Sequence, residues 1–273
     1  MDGYTVLLLK FFDADVNYNR FNYMQKIGYR YLSEYYNNLT GKGLKDIYNN
    51  LVNKYLHANK IKQGKILEIA CGTGKIIESF AGKHKTYGLD ISPWMIKEAR
   101  KKNGKSKYFV ADMTNFKLPE KFDAIICPFD SINHLQIFSD WKKVFASVIH
   151  HLKEGGIFIF DFNTLKKFIN IDGRVKLENV QGGYIVMETQ REKNFCNWNI
   201  LIFKKENQNI FRLFRERVRE STFPLGRVTN SLKKEFTIMK IVNLKKERIF
   251  IVCQKKPDKK MSGMVLKKDE GNF

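Results

Sequence analysis

The feature that most constrains the fold of this chain is a glycine turn placed between a buried strand and a predicted helix. The apolar run Lys65–Ala70 (KILEIA) predicts the strand, Gly72 and Gly74 follow it, and Lys75–Ala81 continues with helical character. Glycines allow the backbone to approach a ligand closely and to turn sharply into the next helix. A second predicted strand, Lys85–Asp90, ends in a carboxylate that could accept hydrogen bonds from both hydroxyls of a ribose. Together these residues predict a nucleotide-type ligand on a Rossmann-like sheet.

The turn departs from the dinucleotide fingerprint in a way that narrows the choice of ligand. The third glycine of that fingerprint would stand three positions after Gly74, where this chain has Ile77. No basic residue is evidently placed to bind a pyrophosphate. The turn therefore suits a cofactor without phosphates. S-adenosylmethionine is one such cofactor, because an amino-acid tail takes the place of the pyrophosphate.

Strands and helices alternate through the middle of the chain. The predicted elements after the second strand are a helix at 93–102 with Ser92 as its N-cap, strands at 107–111 and 122–127, a helix at 140–152 and a strand at 157–160. Such alternation is typical of parallel βαβ units with right-handed crossovers. The chain is therefore expected to be an α/β protein with a doubly wound, mostly parallel sheet.

The alternation stops after Asn163. Three long predicted strands at 184–188, 199–203 and 210–219 follow without helices between them, which predicts an inserted antiparallel sheet. A short helix at 224–234 and an antiparallel strand pair at 236–242 and 248–253 then return to the core. The predicted organisation is a helical lid segment over 1–60, a cofactor-binding core over 61–165, the inserted sheet over 166–220, the return to the core over 221–256 and a basic tail over 257–273.

Five successive segments of the core resemble the motifs of class I S-adenosylmethionine-dependent methyltransferases in order and spacing. The segments are ILEIACGTGKI, YGLDISPWMIKEAR, FVADM, FDAIICPFDSINHL and HHLKEGGIFIFDFN, which lie within about residues 60–163. The resemblance implies a seven-stranded, Rossmann-like methyltransferase fold. It also implies S-adenosyl-L-methionine as the cofactor and methyl transfer as the reaction.

Carried over to this sequence, the resemblance implies which residues bind the cofactor. The wall around the methionine portion would be formed by Glu68, Ala70, Gly72 and Gly74, and the ribose would be bound by Asp90. Further contacts follow the second, third and fourth strands. They are Ile91 and Met95 over the adenine, Asp112 and the Met113 backbone at the adenine amino group, and Pro128 and Phe129 under the sulfonium.

His134 is the candidate for acceptor chemistry. Methyl transfer requires the acceptor to be positioned and water to be excluded. An amine must also lose a proton, and a base with a pKa near neutrality helps. His134 follows the fourth strand, at the carboxyl end of the sheet, where ligands bind in such folds. We therefore predict a small-molecule acceptor, most often an amine in enzymes of this plan, with His134 as general base.

The segment Phe129–Leu135 (FDSINHL) resembles the nucleotide-sugar N,N-dimethyltransferases of deoxysugar biosynthesis, in which a histidine at this position faces the amino sugar. That resemblance extends to Tyr35 and to Gly41-Lys42-Gly43, which match a tyrosine and a glycine-rich lid over the cofactor. It also matches Arg248 to a basic residue of the last strand near the substrate. The predicted catalytic set is thus His134, Tyr35 and Arg248. The sequence departs from the family at Tyr36, where the family has aspartate, and aligns only loosely in the inserted sheet.

The net charge of +21 keeps a second acceptor class open. Such a field attracts polyanions, so an RNA methyltransferase is the alternative, and a nucleic-acid partner is possible. In the predicted strand at 210–219, Arg215, Arg217 and Arg219 should project from one side and could bind the phosphates of either acceptor. The lysines are spread along the whole chain and not gathered on one segment, which favours compositional drift as the origin of the charge.

Several chemistries have no signature here. Many amino-methylating nucleic-acid enzymes carry an (Asp/Asn/Ser)-Pro-Pro-aromatic tetrapeptide after the fourth strand, where this chain has Cys127-Pro128-Phe129-Asp130. The carboxylates near this strand are not clustered as a metal site would require, so no metal is predicted. The four cysteines are scattered without a CxxC pair, as expected in a reducing compartment. We expect a cytoplasmic protein without a membrane partner, because we find no signal peptide and no apolar run of about 20 residues. The oligomeric state is left open.

Overall fold

A computed structural model describes residues 29–39, 42–102 and 104–257 of the chain. Three predicted features lie partly or wholly outside these residues. They are the part of the lid segment before Tyr29, the first glycine of the lid motif (Gly41), and the basic tail after residue 257. In the described part, no helix has the length and apolar character needed to cross a membrane.

A large mixed sheet forms the centre of the structure. Its strands are β1 (Lys65–Ile69), β2 (Lys85–Asp90), β3 (Lys107–Val110), β4 (Phe122–Cys127), β5 (Leu152–Asn163), β10 (Phe236–Leu244) and β11 (Arg248–Lys255). Among the described residues their order is β10-β11-β5-β4-β1-β2-β3. Strands β5, β4, β1, β2 and β3 pair in parallel, whereas β11 pairs antiparallel with both β5 and β10. The predicted seven-stranded, mostly parallel sheet is confirmed.

Both faces of this sheet are covered, which explains why its central strands are almost continuously apolar. The described helices are α1 (Tyr36–Leu39), α2 (Lys42–Ala58), α3 (Pro93–Lys102), α4 (Phe138–His151), α5 (Leu165–Ile171) and α6 (Leu225–Leu232). Alternate residues of β5 enter different apolar clusters. Phe158 and Phe160 pack with Trp141 of α4, whereas Ile159 packs with Tyr48 and Val52 of α2.

A separate antiparallel sheet confirms the predicted insertion. It contains β6 (Val175–Val180), β7 (Gly183–Glu192), β8 (Phe195–Lys205) and β9 (Phe211–Ser221), in that order. Its inner face packs on the segment 29–39 through an apolar cluster that includes Leu32, Ile185 and Ile202. The Glu216 carboxylate of β9 also accepts hydrogen bonds from the backbone N–H groups of Tyr29 and Tyr31. The insertion and this segment are thus held together beside the large sheet.

Two local predictions differ from the structure. The predicted helix Lys75–Ala81 is reduced to a single 3-10 turn at Ile77–Phe80, because the chain returns quickly to β2. The edge strand β6 was not predicted, since its residues VKLENV are mostly exposed and carry no buried apolar pattern. Elsewhere the predicted strands are recovered within a few residues.

Candidate cofactor and acceptor site

The carboxyl ends of β1, β2 and β4 lie side by side and form the floor of the site. The chain leaves β1 with Ala70, Gly72 and Gly74 all at positive φ values of 52°, 52° and 74°. A Cβ on Gly72 would lie 3.7 Å from a ring carbon of Tyr36 and 3.9 Å from Met95 Sδ. A Cβ on Gly74 would clash with the Tyr108 hydroxyl. There is thus room for a Cβ at Gly72, where the positive φ is what favours glycine, whereas at Gly74 glycine is also needed for close packing.

Asp90 is oriented by two backbone donors. The Gly72 N–H donates to its Oδ2 and the Ser92 N–H to its Oδ1, both at 2.8 Å. Burial raises the pKa of Asp90, and the two backbone N–H groups oppose that rise. Each oxygen has further lone pairs, and together they can accept hydrogen bonds from both hydroxyls of a ribose diol. The turn and this carboxylate thus fit S-adenosylmethionine.

Glu68 braces the turn from below. Its side chain is buried, and its Oε2 accepts a hydrogen bond of 2.7 Å from the Ile77 N–H. Burial raises the pKa of Glu68 well above its usual value. Glu68 therefore holds the start of the following helical turn in place, and its part in the wall around the methionine portion stays a prediction.

The predicted adenine contacts surround the other end of the site. Met95 is buried, whereas the side chain of Ile91 is 42% exposed directly after β2, as an apolar cover for a bound ring would be. Asp112 accepts two hydrogen bonds of 2.8 Å on Oδ1, from the N–H and hydroxyl of Thr114. Met113 packs into the core beside it. The prediction that these residues bind adenine stays a prediction.

His134 lies in a 3-10 turn, Ser131–His134, that follows β4 and is fixed from beneath by Asn133. The Asn133 amide donates to the carbonyl oxygens of Asn163 (3.2 Å) and Ser221 (2.7 Å), and accepts from the Asn163 N–H (2.9 Å). Burial lowers the pKa of His134 to about 4, so its imidazole is neutral at pH 7.

The backbone that leads from β4 to this turn is strained. Phe129 and Asp130 have positive φ values of 57° and 51°, which non-glycine residues seldom adopt. The Ser131 hydroxyl holds the bend by donating to the Pro128 carbonyl oxygen at 2.6 Å. Pro128 and Phe129, predicted under the sulfonium, are thereby placed at the carboxyl end of β4.

The structure brings Tyr29 and Tyr36 to the site, and it does not bring Tyr35 there. The Tyr29 hydroxyl lies 3.2 Å from His134 Nε2, and the Tyr29 and Tyr36 rings meet edge to face. Burial, with Asp130 and Asp90 nearby, raises the pKa of Tyr36. Tyr35 instead packs in the apolar cluster on the insertion's inner face, because neighbouring residues point in different directions. Nothing in the spacing of this tyrosine-rich segment distinguished Tyr29 beforehand.

Arg248 lies close to the acceptor site, but its guanidinium is already engaged. Its Nη2 lies 2.8 Å from Asp130 Oδ1, and its Nη1 pairs with Asp161. The Asp161 carboxylate also accepts from the Tyr48 hydroxyl and from the Asp130 N–H (3.1 Å). This arrangement indicates that Arg248 holds the strained turn in place, because each of its terminal nitrogens pairs with a carboxylate.

Arg215, Arg217 and Arg219, the arginine stripe of β9, lie on the face of the inserted sheet that points away from the segment 29–39. Glu216 bonds to the segment 29–39, so the alternating arginines project from the opposite face of the sheet. Arg219 pairs there with Glu192 at 3.2 Å and lies over the Phe195 ring. The stripe therefore faces away from the segment 29–39, and the hypothesis that the stripe or Arg248 binds acceptor phosphates stays a prediction.

Comparison with known proteins agrees with this geometry. Residues 66–156 match the family model described as a methyltransferase domain. The putative methyltransferase YqeM of Bacillus subtilis is 27% identical over 218 residues, which cover 74% of this chain and 88% of YqeM. A dTDP-3-amino-3,4,6-trideoxy-alpha-D-glucopyranose N,N-dimethyltransferase of Streptomyces venezuelae is 33% identical over 97 residues, which cover only 35% of this chain and 41% of that protein.

A solved structure extends the likeness to most of the chain. The crystal structure of an S-adenosylmethionine-dependent methyltransferase from Clostridium acetobutylicum superposes with a TM-score of 0.70 at 26% identity. The superposition covers 88% of this chain and 99% of that one. The glycine turn, Asp90 and the seven-stranded sheet agree with these matches: the chain is an S-adenosylmethionine-dependent methyltransferase with a Rossmann-like core.

Proposed function

We propose that this enzyme methylates the nitrogen of a small-molecule amine and that His134 is the general base. The observation that carries the proposal is the neutral His134 imidazole, held at the carboxyl end of β4 beside Tyr29. The cofactor supplies an electrophilic methyl group when bound. The protein must then present an amine lone pair to it in a water-poor chamber. The amino-sugar N,N-dimethyltransferase relative supports nitrogen as the methylated atom.

The chemistry of His134 follows from its surroundings. Because burial keeps the imidazole neutral, a ring nitrogen can accept a proton or a hydrogen bond at pH 7. Tyr29 supplies the hydroxyl that now meets Nε2, so an amine N–H can bind by replacing or sharing that contact. Accepting the proton leaves the nitrogen lone pair free for transfer. Asn133 prevents the turn from moving away while this happens.

The proposal is tested by supplying the wild-type enzyme with methyl-labelled S-adenosylmethionine and three sets of acceptors. The sets are small amines that include amino sugars, the matching alcohols, and bulk transfer and ribosomal RNA. We expect label to appear in one or more amines and not in the matching alcohols. Label found only in RNA, with RNA retention that falls steeply as salt rises, would instead support the RNA alternative suggested by the net charge.

We also propose that Asp90 binds the cofactor ribose. Replacing Asp90 with alanine should weaken binding of S-adenosylhomocysteine by about 1–3 kcal/mol, because charge-assisted hydrogen bonds are lost. Calorimetry measures this directly. A matched control is Asp123→Ala, since Asp123 lies at the start of β4, at the opposite end of the sheet. Equal affinity in the wild type and Asp90→Ala would show that the ribose lies elsewhere.

A further inference from the structure

Carboxyl groups outnumber cations around the turn that carries His134. The carboxylates of Asp130, Asp161 and Glu220 lie around a single cation, Arg248, and that cation pairs with the two aspartates. Among the described residues no ion pair is made by Glu220, whose side chain is 5% exposed on β9. A protein of net charge +21 thus has three carboxyl groups and one cation together at one internal position.

Asn163 connects two of these acids and leaves an acceptor of its own unused. Its Nδ2 donates to Asp130 and, at 3.4 Å, to Glu220. This fixes the orientation of the amide, because a flipped amide would turn an oxygen toward two carboxylates. The side chain is 2% exposed, and its Oδ1 has no hydrogen-bond partner among the described residues. A buried acceptor without a donor is costly, and a ligand with N–H groups would satisfy it.

The side chains around Glu220 show that this position favours a positive charge. The titratable and charged groups that interact with it come from four parts of the chain. They are Tyr29 and Tyr36 of the first segment, Asp130 after β4, Cys196 on β8 and Arg248 on β11. Burial and the nearby Asp130 raise the pKa of Glu220 to about 8. At neutral pH the free protein therefore stores a proton there, which an arriving cation can displace.

We propose that Asp130, Asn163 and Glu220 form an ammonium-binding subsite that receives the acceptor as a protonated alkyl amine. This inference rests on the proposed function and narrows its substrate class. Ammonium N–H groups donate to the Glu220 carboxylate and to Asn163 Oδ1, and the Glu220 proton leaves to solvent. Arylamines and amides, which are uncharged at neutral pH, are poor ligands for the subsite. The ammonium then loses one proton through the His134 imidazole to solvent, which exposes the nitrogen lone pair for methyl transfer.

The test compares two cofactor analogues that differ in charge at the reacting position. Sinefungin carries an ammonium group there, whereas S-adenosylhomocysteine carries an uncharged thioether. In the wild type at pH 7, sinefungin should bind at least about tenfold more tightly. Its binding should also release up to about one additional proton, seen by calorimetry in two buffers of different ionisation enthalpy. In Glu220→Gln both the preference and the additional proton release should disappear, with affinity for S-adenosylhomocysteine within about twofold of wild type.

A control variant and a folding check accompany Glu220→Gln. Glu192→Gln, an exposed carboxylate on the outer face of the same sheet, should retain the preference and the proton release. Unchanged affinity for S-adenosylhomocysteine shows that Glu220→Gln is folded. If Glu220→Gln keeps the sinefungin preference and the proton release, the subsite proposal is overturned, even where the wild type methylates amines. If the wild type methylates no amine, the proposed function fails instead.

Discussion

Replacing Arg248 with methionine should lower the free energy of unfolding by about 3–5 kcal/mol, the cost of removing one partner from a buried charge network. The substitution leaves Asp130 and Asp161 facing each other with no cation between them. Burial already raises the pKa of Asp161, and Arg248 opposes that rise. Denaturant unfolding at neutral pH measures the loss.

The loss should depend on pH in a defined direction. Without Arg248 the folded-state pKa of Asp161 rises further, so the folded protein binds more protons than the unfolded chain above the ordinary aspartate pKa. Stability of the variant should therefore fall as pH rises, and the deficit relative to wild type should shrink toward acid pH. Arg212→Met is the control, because the Arg212–Glu206 pair is exposed and should be worth less than about 1 kcal/mol. A deficit at Arg248 no larger than at Arg212 would show that the network does not hold the fold.

The parts of this fold that could be predicted are those in which a local pattern is sufficient. Strands such as Phe122–Cys127 are buried on both faces, so their composition alone marks them. The glycine turn and Asp90 are close in sequence and keep a fixed spacing. The edge strand Val175–Val180 lacks any such pattern, because it packs little surface.

The surroundings of His134 could be predicted only in part, because residues that are distant in sequence meet there. Glu220 alternates with arginines along β9, where it resembles one half of a solvated ion pair, and only the sheet's placement buries it. Asn163 contacts Glu220 across 57 positions, and Tyr29 contacts His134 across 105. Arg248 was expected to be a substrate ligand, yet the two carboxylates that occupy it come from β5 and from the turn after β4.

Replacing His134 with alanine should reduce turnover on an amine acceptor by about 100-fold or more, the usual contribution of a positioned general base. Affinity for S-adenosylhomocysteine should change little, because the turn that carries His134 is held by Asn133 and not by the imidazole. Steady-state kinetics with separate kcat and KM values, together with calorimetry, distinguish lost chemistry from lost binding. Tyr29→Phe should cause a smaller loss, since it removes only the hydroxyl that meets Nε2.

The pH dependence provides a second test of the same residue. Because burial lowers the pKa of His134 to about 4, the imidazole stays unprotonated throughout the neutral range. If kcat decreases as the pH falls from about 8 to about 6, the decrease must come from the protonation of another group. The same decrease should then be seen in the residual activity of His134→Ala. His150→Ala is the matched control, as His150 is exposed near the end of α4 and should leave kcat unchanged. A loss below about fivefold in His134→Ala would mean that the enzyme captures an amine that is already neutral and that His134 only positions it.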